Sequence, residues 1–316
     1  MKAVQFSHYG DPDVLQVQEA ADPTPDPGDV LIEVKATTVN RLDLFQRNGS
    51  RPVANFPFTP GLEAAGVVIS DANGFHAGEH VLTARAPLAK GGGGYASKIA
   101  APASDLSRIP GGVSFEQAVA IGLAGSTAWA SLFDQGHLQK GEKVLIWAGS
   151  SGVGSLAIQL AKHTGAWVAT TASSDTRAET LRTLGADLVI DHHKQDVGKV
   201  LQEQGGVNLV IELVSSTLQA SLNACASDAR IVLIGNLGGQ QATVDTQAWR
   251  LKRVSVIGGG MARTTTANEQ KMLQLVADKA LSPLIAKTLP VEQAVQAHQL
   301  LASGEPQGKI VLTHSS

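Results

Sequence analysis

The order of apolar and polar positions gives the chain two textures. Up to about residue 117, short apolar runs alternate with prolines and turn signals. Lys2–Phe6, Leu15–Glu19, Val30–Ala36, Ala65–Ile69 and Glu79–Ala84 read as strands, punctuated by Pro23, Pro25, Pro27, Pro52, Pro57 and Pro60. Pro27–Gly28–Asp29 and Ala77–Gly78–Glu79 are turns that feed apolar runs, and the glycine run Gly91–Gly94 reads as a flexible surface loop before Tyr95–Ala101. The texture changes after Pro110–Gly111–Gly112. Ser114, with Gln117 three residues on, marks a helix start, and Phe115–Leu132 is nearly all small or apolar.

From there apolar runs alternate with helical segments. Val144–Ala148, Trp167–Thr171, Leu188–Ile190, Leu209–Leu213, Ile231–Ile234 and Val254–Ile257 read as strands. Helices are predicted near Leu156–Lys162, Thr176–Leu184, Val197–Gln204 and Leu218–Ala226. Strands joined through helices of this length need crossover connections, hence a parallel sheet covered on both faces. The tail holds a helix (Glu269–Lys279), a strand (Leu284–Leu289), a helix with Val291, Ala294, Val295, His298 and Leu301 near one face, and a last strand, Lys309–Thr313.

The first of the alternating strands, from Lys143, breaks into Gly149–Ser150–Ser151–Gly152–Val153–Gly154 and resumes as a helix through Lys162. Strand, glycine turn and helix open a dinucleotide-binding βαβ unit. The glycines let backbone approach a pyrophosphate, and the helix N-terminus offers it N–H groups and partial positive charge. Ser151 takes the place of the middle glycine in G-x-G-x-x-G, and a tight strand–helix turn without a nucleotide has the same look. The following strand ends in Ser173 and Ser174, with Arg177 beyond, where NAD sites carry a carboxylate for the ribose. Two hydroxyls and a guanidinium suit a 2′-phosphate, so NADPH is the expected cofactor; Asp175 is expected to cap a helix starting at Thr176.

Composition narrows the classes further. The 316 residues allow two domains, and 43% hydrophobic content with 33 glycines fits an α/β protein with many turns. A net charge of -3 without basic blocks, and 4% aromatic residues, argue against nucleic-acid binding. The single cysteine, Cys225, excludes an intramolecular disulfide; within the predicted helix Leu218–Ala226 it reads as a buried small hydrophobe. Met1–Phe6 lacks a signal-peptide core and no long apolar run suggests a membrane span, so the expected location is cytoplasmic.

Val39–Asn40–Arg41–Leu42–Asp43, Arg47–Asn48–Gly49 and Pro60–Gly61–Leu62–Glu63–Ala64–Ala65–Gly66–Val67–Val68 resemble medium-chain dehydrogenases/reductases, closest to the zinc-independent, quinone-oxidoreductase-like branch. The resemblance continues through Gly125–Ser126–Thr127–Ala128, Ala148–Gly154, Leu184–Gly185–Ala186–Asp187 and Gly308–Lys309–Ile310–Val311–Leu312. It implies a Rossmann doubly wound parallel sheet, residues 118–257, and a mainly β GroES-like catalytic domain, residues 1–117 and 258–316, with the nicotinamide between the two. It also implies hydride transfer from NADPH to a quinone or an α,β-unsaturated carbonyl, in a protein that commonly forms a homodimer. A zinc alcohol dehydrogenase relative and a non-catalytic NADPH-binding sensor are the competing readings.

By the same resemblance, no metal is expected. Asn40 and Leu62 stand where zinc-dependent relatives place a cysteine and a histidine. His76 and His80 stand four apart across a turn, without convergent ligands. Thr127 matches a position near the nicotinamide, and Gly235 and Asn236 the loop that passes it; His192 falls where relatives carry a tyrosine beside the adenosine phosphate. Asn40 and Asp43 match positions bordering the substrate pocket, the amide suited to a carbonyl oxygen and the carboxylate to orienting water or Arg47. An Asp43–Arg47 ion pair at i, i+4 is the structural alternative. Phe45 and Arg51 occupy positions where relatives often carry tyrosines, so no proton donor carries over and solvent is the expected source.

Overall fold

A computed structural model describes residues 1–88, 92–260 and 263–314. The chain forms two compact units, Met1–Ala124 with Thr265–Ser316, and Gly125–Thr264. The first begins with β1 (Lys2–Gln5), β2 (Gln16–Glu19), β3 (Asp29–Val39), α1 (Arg41–Arg47), β4 (Ala64–Val68), β5 (His80–Thr83), β6 (Lys98–Pro102) and β7 (Ser107–Arg108). The Pro27–Gly28 turn delivers the chain into β3, Gly28 supplying a φ of +96°. Alternate residues Val30, Ile32 and Val34 then pack against Ala64, Val68, Val81 and Ile99. Each fully buried aliphatic side chain of this kind is worth about 1.5–3 kcal/mol over leaving it in water.

The glycine run departs from expectation. Gly91 lies outside the described residues, but Gly92–Gly94 are buried rather than on the surface. A Cβ on Gly93 would lie 2.1 Å from the Pro60 carbonyl oxygen, and one on Gly94 2.3 Å from that of Glu63. Here two backbones touch: Gly94 N–H donates to Gly61 O at 2.9 Å and Tyr95 N–H to Pro60 O at 3.0 Å. The strand that follows, β6, begins only at Lys98.

Next comes α2 (Phe115–Trp129), opened by a reciprocal cap: Ser114 N–H donates to Gln117 Oε1 at 3.0 Å and Gln117 N–H to Ser114 Oγ at 3.2 Å. At Ala130 it widens into a π turn running to Gln135. The second unit then runs β8 (Lys143–Ile146), α3 (Gly152–Thr164), β9 (Trp167–Ala172), α4 (Asp175–Thr183), β10 (Leu188–Asp191), α5 (Val197–Glu203), β11 (Val207–Glu212), α6 (Leu218–Ala224), β12 (Cys225–Leu233), α7 (Thr246–Lys252) and β13 (Ser255–Gly258). All pairings are parallel, in the order β10-β9-β8-β11-β12-β13. That is the 3-2-1-4-5-6 order of a dinucleotide-binding sheet, whose ligand sites lie at the carboxyl ends of the strands. Leu145, Ala169, Ile190, Val210 and Ile231 belong to its core.

Two local expectations are corrected in this unit. α6 stops at Ala224, so Cys225 opens β12 instead of lying in a helix; burial pushes its thiol up to about 12. α4 begins at Asp175, not Thr176, because the Ser174 side chain accepts the Arg177 N–H and takes the cap.

The chain returns through α8 (Thr266–Ala277), β14 (Ile285–Pro290), α9 (Ala294–Ser303) and β15 (Lys309–Thr313). β14 and β15 join the first unit's sheet, which runs β14-β15-β3-β4-β5-β7 with β6 on β3. The middle of this sheet therefore combines segments from opposite ends of the chain. No helix among the described residues is long and apolar enough to cross a membrane.

Candidate functional site

In the second unit, the carboxyl ends of β8, β9, β10 and β12 carry nearly every residue expected to hold a cofactor. After β8, Ala148 adopts φ +51°, a left-handed conformation uncommon outside glycine, and Ser151 N–H closes the turn onto Ala148 O at 2.9 Å. Ser151 caps α3, its Oγ accepting Gly154 N–H at 3.0 Å. Helix geometry leaves the N–H groups of Gly152 and Val153 pointing out of the first turn, which carries no acidic residue to neutralise its positive end. The glycines have a packing reason too. A Cβ on Gly149 would sit 2.1 Å from Thr170 Oγ1, and one on Gly154 2.4 Å from Ala148 O.

Arg177, near the start of α4, reaches back to this turn. Its Nη1 donates to Ser150 Oγ at 2.8 Å, so a half-buried guanidinium stands beside the glycine loop. Ser173 and Ser174 at the end of β9 are exposed. These groups are donors and a cation gathered beside a helix N-terminus, a set that fits the phosphates of a dinucleotide, including one on the 2′ oxygen.

At the end of β10 the His192 ring packs on His193, with centroids 4.3 Å apart, and partial burial together with His193 holds its pKa below the ordinary value. Past β12, Gly235 and the exposed Asn236 follow the strand end. Thr127 lies in α2, where its carbonyl accepts the Ser131 hydroxyl at 2.6 Å.

The first unit contains a separate polar cluster buried in apolar surroundings. Asn40 and Asp43, at the start of α1, meet Glu63 from the segment before β4 and Lys309 from β15. Lys309 Nζ lies 3.1 Å from Glu63 Oε1 and donates to Asn40 Oδ1 at 2.6 Å. Asn40 Nδ2 donates to Glu63 Oε1 at 3.0 Å and Thr38 Oγ1 at 3.2 Å. The Thr38 hydroxyl and Leu123 N–H also donate to the Glu63 carboxylate. Burial alone would raise the Glu63 pKa, but the Lys309 charge and these donors outweigh it and hold it below the usual range.

Asp43 is fully buried, with Oδ2 accepting Asn40 N–H at 2.7 Å and Oδ1 accepting Gly61 N–H at 3.0 Å. Those bonds tie α1 to the 60–63 segment, in place of an i, i+4 pair with Arg47. Burial raises its pKa to about 7, with the nearby Glu63 charge acting in the same direction. Glu63 and Lys309 lie within the family-like motifs of the sequence, which assign neither a role. The available signal was a lone acid and a lone base in apolar runs, each needing a partner once buried.

Leu62 is buried and offers no metal ligand; the exposed His76 pairs with Asp71, and the His80 ring packs on Phe115. Among the described residues, no group of three or more His, Cys, Asp or Glu side chains is gathered as metal ligands.

Comparison with known proteins adds a lineage. The alcohol dehydrogenase GroES-like domain family matches residues 26–111, and the zinc-binding dehydrogenase family matches residues 152–278. A quinone oxidoreductase of Lama guanicoe is 30% identical over 328 residues, spanning 99% of this chain and 97% of that protein. Among solved structures, Escherichia coli quinone oxidoreductase complexed with NADPH superposes with a TM-score of 0.90 at 28% identity, covering 99% of this chain and 100% of the other. An NAD-dependent alcohol dehydrogenase superposes with a TM-score of 0.92 at 28% identity, covering 99% of both chains.

Proposed function

We propose, for a chain that belongs to the medium-chain dehydrogenases/reductases of quinone-oxidoreductase type, that it reduces quinones or α,β-unsaturated carbonyls with NADPH and without a metal. The observation that carries this reading is the Arg177 guanidinium on Ser150, beside the glycine turn and the first turn of α3. NAD sites place an acidic residue near this strand end, where it would repel a 2′-phosphate; here the residues are Ser173, Ser174 and a guanidinium.

NADPH, when bound, supplies the hydride. The chain's part is to hold it: N–H groups of Gly152 and Val153 for the pyrophosphate, Arg177 with Ser173 and Ser174 for the 2′-phosphate, and Gly235 and Asn236 past the end of β12. His192, neutral at pH 7 with its lowered pKa, serves as a hydrogen-bonding group at the adenosine end. The acceptor takes up hydride and one proton, the latter from solvent, so a quinone leaves as hydroquinone and an enone as the saturated carbonyl. Conjugation makes these acceptors electrophilic without Lewis-acid help, so catalysis rests on holding the reactants in line.

Asn40 and Asp43 act by positioning. Both amide protons of Asn40 are engaged within the buried cluster, and both Asp43 oxygens hold backbone N–H groups.

The test is NADPH oxidation over a panel of quinones, enones and aldehydes, with and without chelator. Turnover of quinones or enones at equal rates in both conditions is expected. Saturable NADPH binding without turnover would leave a nucleotide-binding protein, and loss of activity to chelator would overturn the metal-free reading. Arg177→Ala is expected to raise the KM for NADPH by roughly tenfold or more and to leave the KM for NADH nearly unchanged. Equal losses would remove Arg177 from the 2′-phosphate.

A further inference from the structure

Glu212, the last residue of β11, is a carboxylate with no exposed surface at the strand ends where ligands bind in this kind of sheet. Its two oxygens hold four donors. Oε1 accepts Val214 N–H at 2.9 Å, Ser215 N–H at 3.1 Å and the Thr217 hydroxyl at 2.8 Å, while Oε2 accepts the Ser221 hydroxyl at 2.5 Å. Ser221 Oγ in turn accepts the indole N–H of Trp147 at 2.7 Å, and Trp147 is two residues before Gly149 of the glycine turn.

The loop that Glu212 organises then grips its neighbour. Ser215 stands at φ +69°, left-handed backbone that serine rarely adopts, and its hydroxyl donates to Gly235 O at 2.6 Å. Gly238 N–H donates to Val214 O at 2.8 Å and Leu237 N–H to Leu213 O at 3.3 Å. A Cβ on Gly238 would lie 2.1 Å from Ser216 Oγ, so the two loops are in contact along their length. One side chain thus ties together the ends of β8, β11 and β12.

From this geometry we propose that Glu212 is a positioning residue for the dinucleotide site. By dictating the shape of the 213–217 loop it fixes the 235–238 loop, and through Ser221 it fixes the strand end that carries the phosphate turn. A site held in shape before its ligand arrives loses less freedom on binding. The inference rests on the proposed NADPH function for its consequence, but the strap itself exists without the nucleotide. A core role alone would not explain why the strained residue, Ser215, is the one that spends its hydroxyl on the neighbouring loop.

The experiment uses full-length protein in two variants, Ser215→Ala and Glu212→Gln. Amide hydrogen exchange is read without nucleotide, and the NADPH dissociation constant by titration calorimetry. In Ser215→Ala, the Leu237 and Gly238 amides are expected to exchange about tenfold faster, with NADPH bound about tenfold more weakly and kcat little changed. Glu212→Gln keeps the shape but forces an amide donor onto Ser221, and is expected to speed exchange across 214–217 as well and to weaken NADPH at least as much. Unchanged exchange in Ser215→Ala would overturn the strap. Faster exchange with an unchanged dissociation constant, or a lowered melting temperature in Glu212→Gln with NADPH affinity intact, would make Glu212 a structural residue only. If the unsubstituted chain fails to bind NADPH, the proposed function fails on its own, and the exchange data still judge the strap.

Discussion

Lys309 and Glu63 show how two charges inside an apolar sheet stabilise or destabilise according to whether both are present. Lys309 is 6% exposed and Glu63 not at all, so each has given up its hydration for the other and for Asn40. Lys309→Met is expected to cost about 3–5 kcal/mol in urea unfolding, because it strands the Glu63 carboxylate, whereas Lys309→Met with Glu63→Gln should recover a large part of that loss. Asp43 gives the opposite pH behaviour to an ordinary paired carboxylate. The unfolded chain releases its proton near 3.8 and the folded chain only near about 7, so between these values the native state binds more protons. Stability contributed by this group therefore falls as pH rises through that window and levels off above it. Because His298 and His314, held below the usual imidazole value by burial, add an opposite slope to both proteins, the readout is the difference: from pH 5 to 8 the unsubstituted protein should lose stability relative to Asp43→Asn, and equal pH dependence would refute the raised value. Asn40 and Asp43 were nameable from the sequence because they belong to a motif. Their partners were not, since nothing in a linear pattern says that a lysine near residue 309 faces a glutamate near residue 63.

At the scale of single elements, the alternation of apolar runs and helical rhythms placed the strands of the second unit and its helices α3 to α6, and the serine–glycine turn before α3 in particular, but not α7, a short helix with no buried residue to mark its period. Its cap has a measurable weight: Ser151→Ala should cost about 1 kcal/mol of stability by leaving Gly154 N–H without its acceptor. What the pattern could not separate was a glycine that frees the backbone from a glycine that lets two backbones touch. Gly93 is of the second kind, with the carbonyls of Pro60 and Thr59 only 2.1 and 2.2 Å from where a Cβ would stand. Gly93→Ala is expected to cost more than about 3 kcal/mol, while Gly111→Ala, which meets nothing within 4 Å, should stay within about 0.5 kcal/mol. Similar measured losses for the two would contradict the packing seen around the 59–63 segment. Cys225 went astray for a related reason: helix and strand meet there without a turn residue between them, so periodicity had no mark to stop on.

For the molecule as a whole, the fold class was legible because crossover helices leave few topologies for a run of alternating strands. The membership of β14 and β15 in the first unit's sheet was implied by resemblance rather than by residue pattern, since an edge or centre position leaves little trace in a five-residue apolar run. Each unit has its own core, so a ligand held by one should act on that one first. NADPH at a hundred times its dissociation constant is expected to add about 2.7 kcal/mol to the unfolding of Gly125–Thr264, read by amide exchange in that segment. An increase confined to the other segment would place the nucleotide elsewhere.

The placement of β15 between β14 and β3 also sets an order of events during synthesis. On a ribosome, the middle of the chain emerges complete and can acquire its parallel sheet at once. Residues 1–124, although made earlier, wait with the Ala36–Val39 end of β3 unpaired on one side until β15 emerges. Stalled nascent chains that end before residue 309 should accordingly yield a protease-resistant core from the central segment and a leading segment that is digested and recruits chaperones.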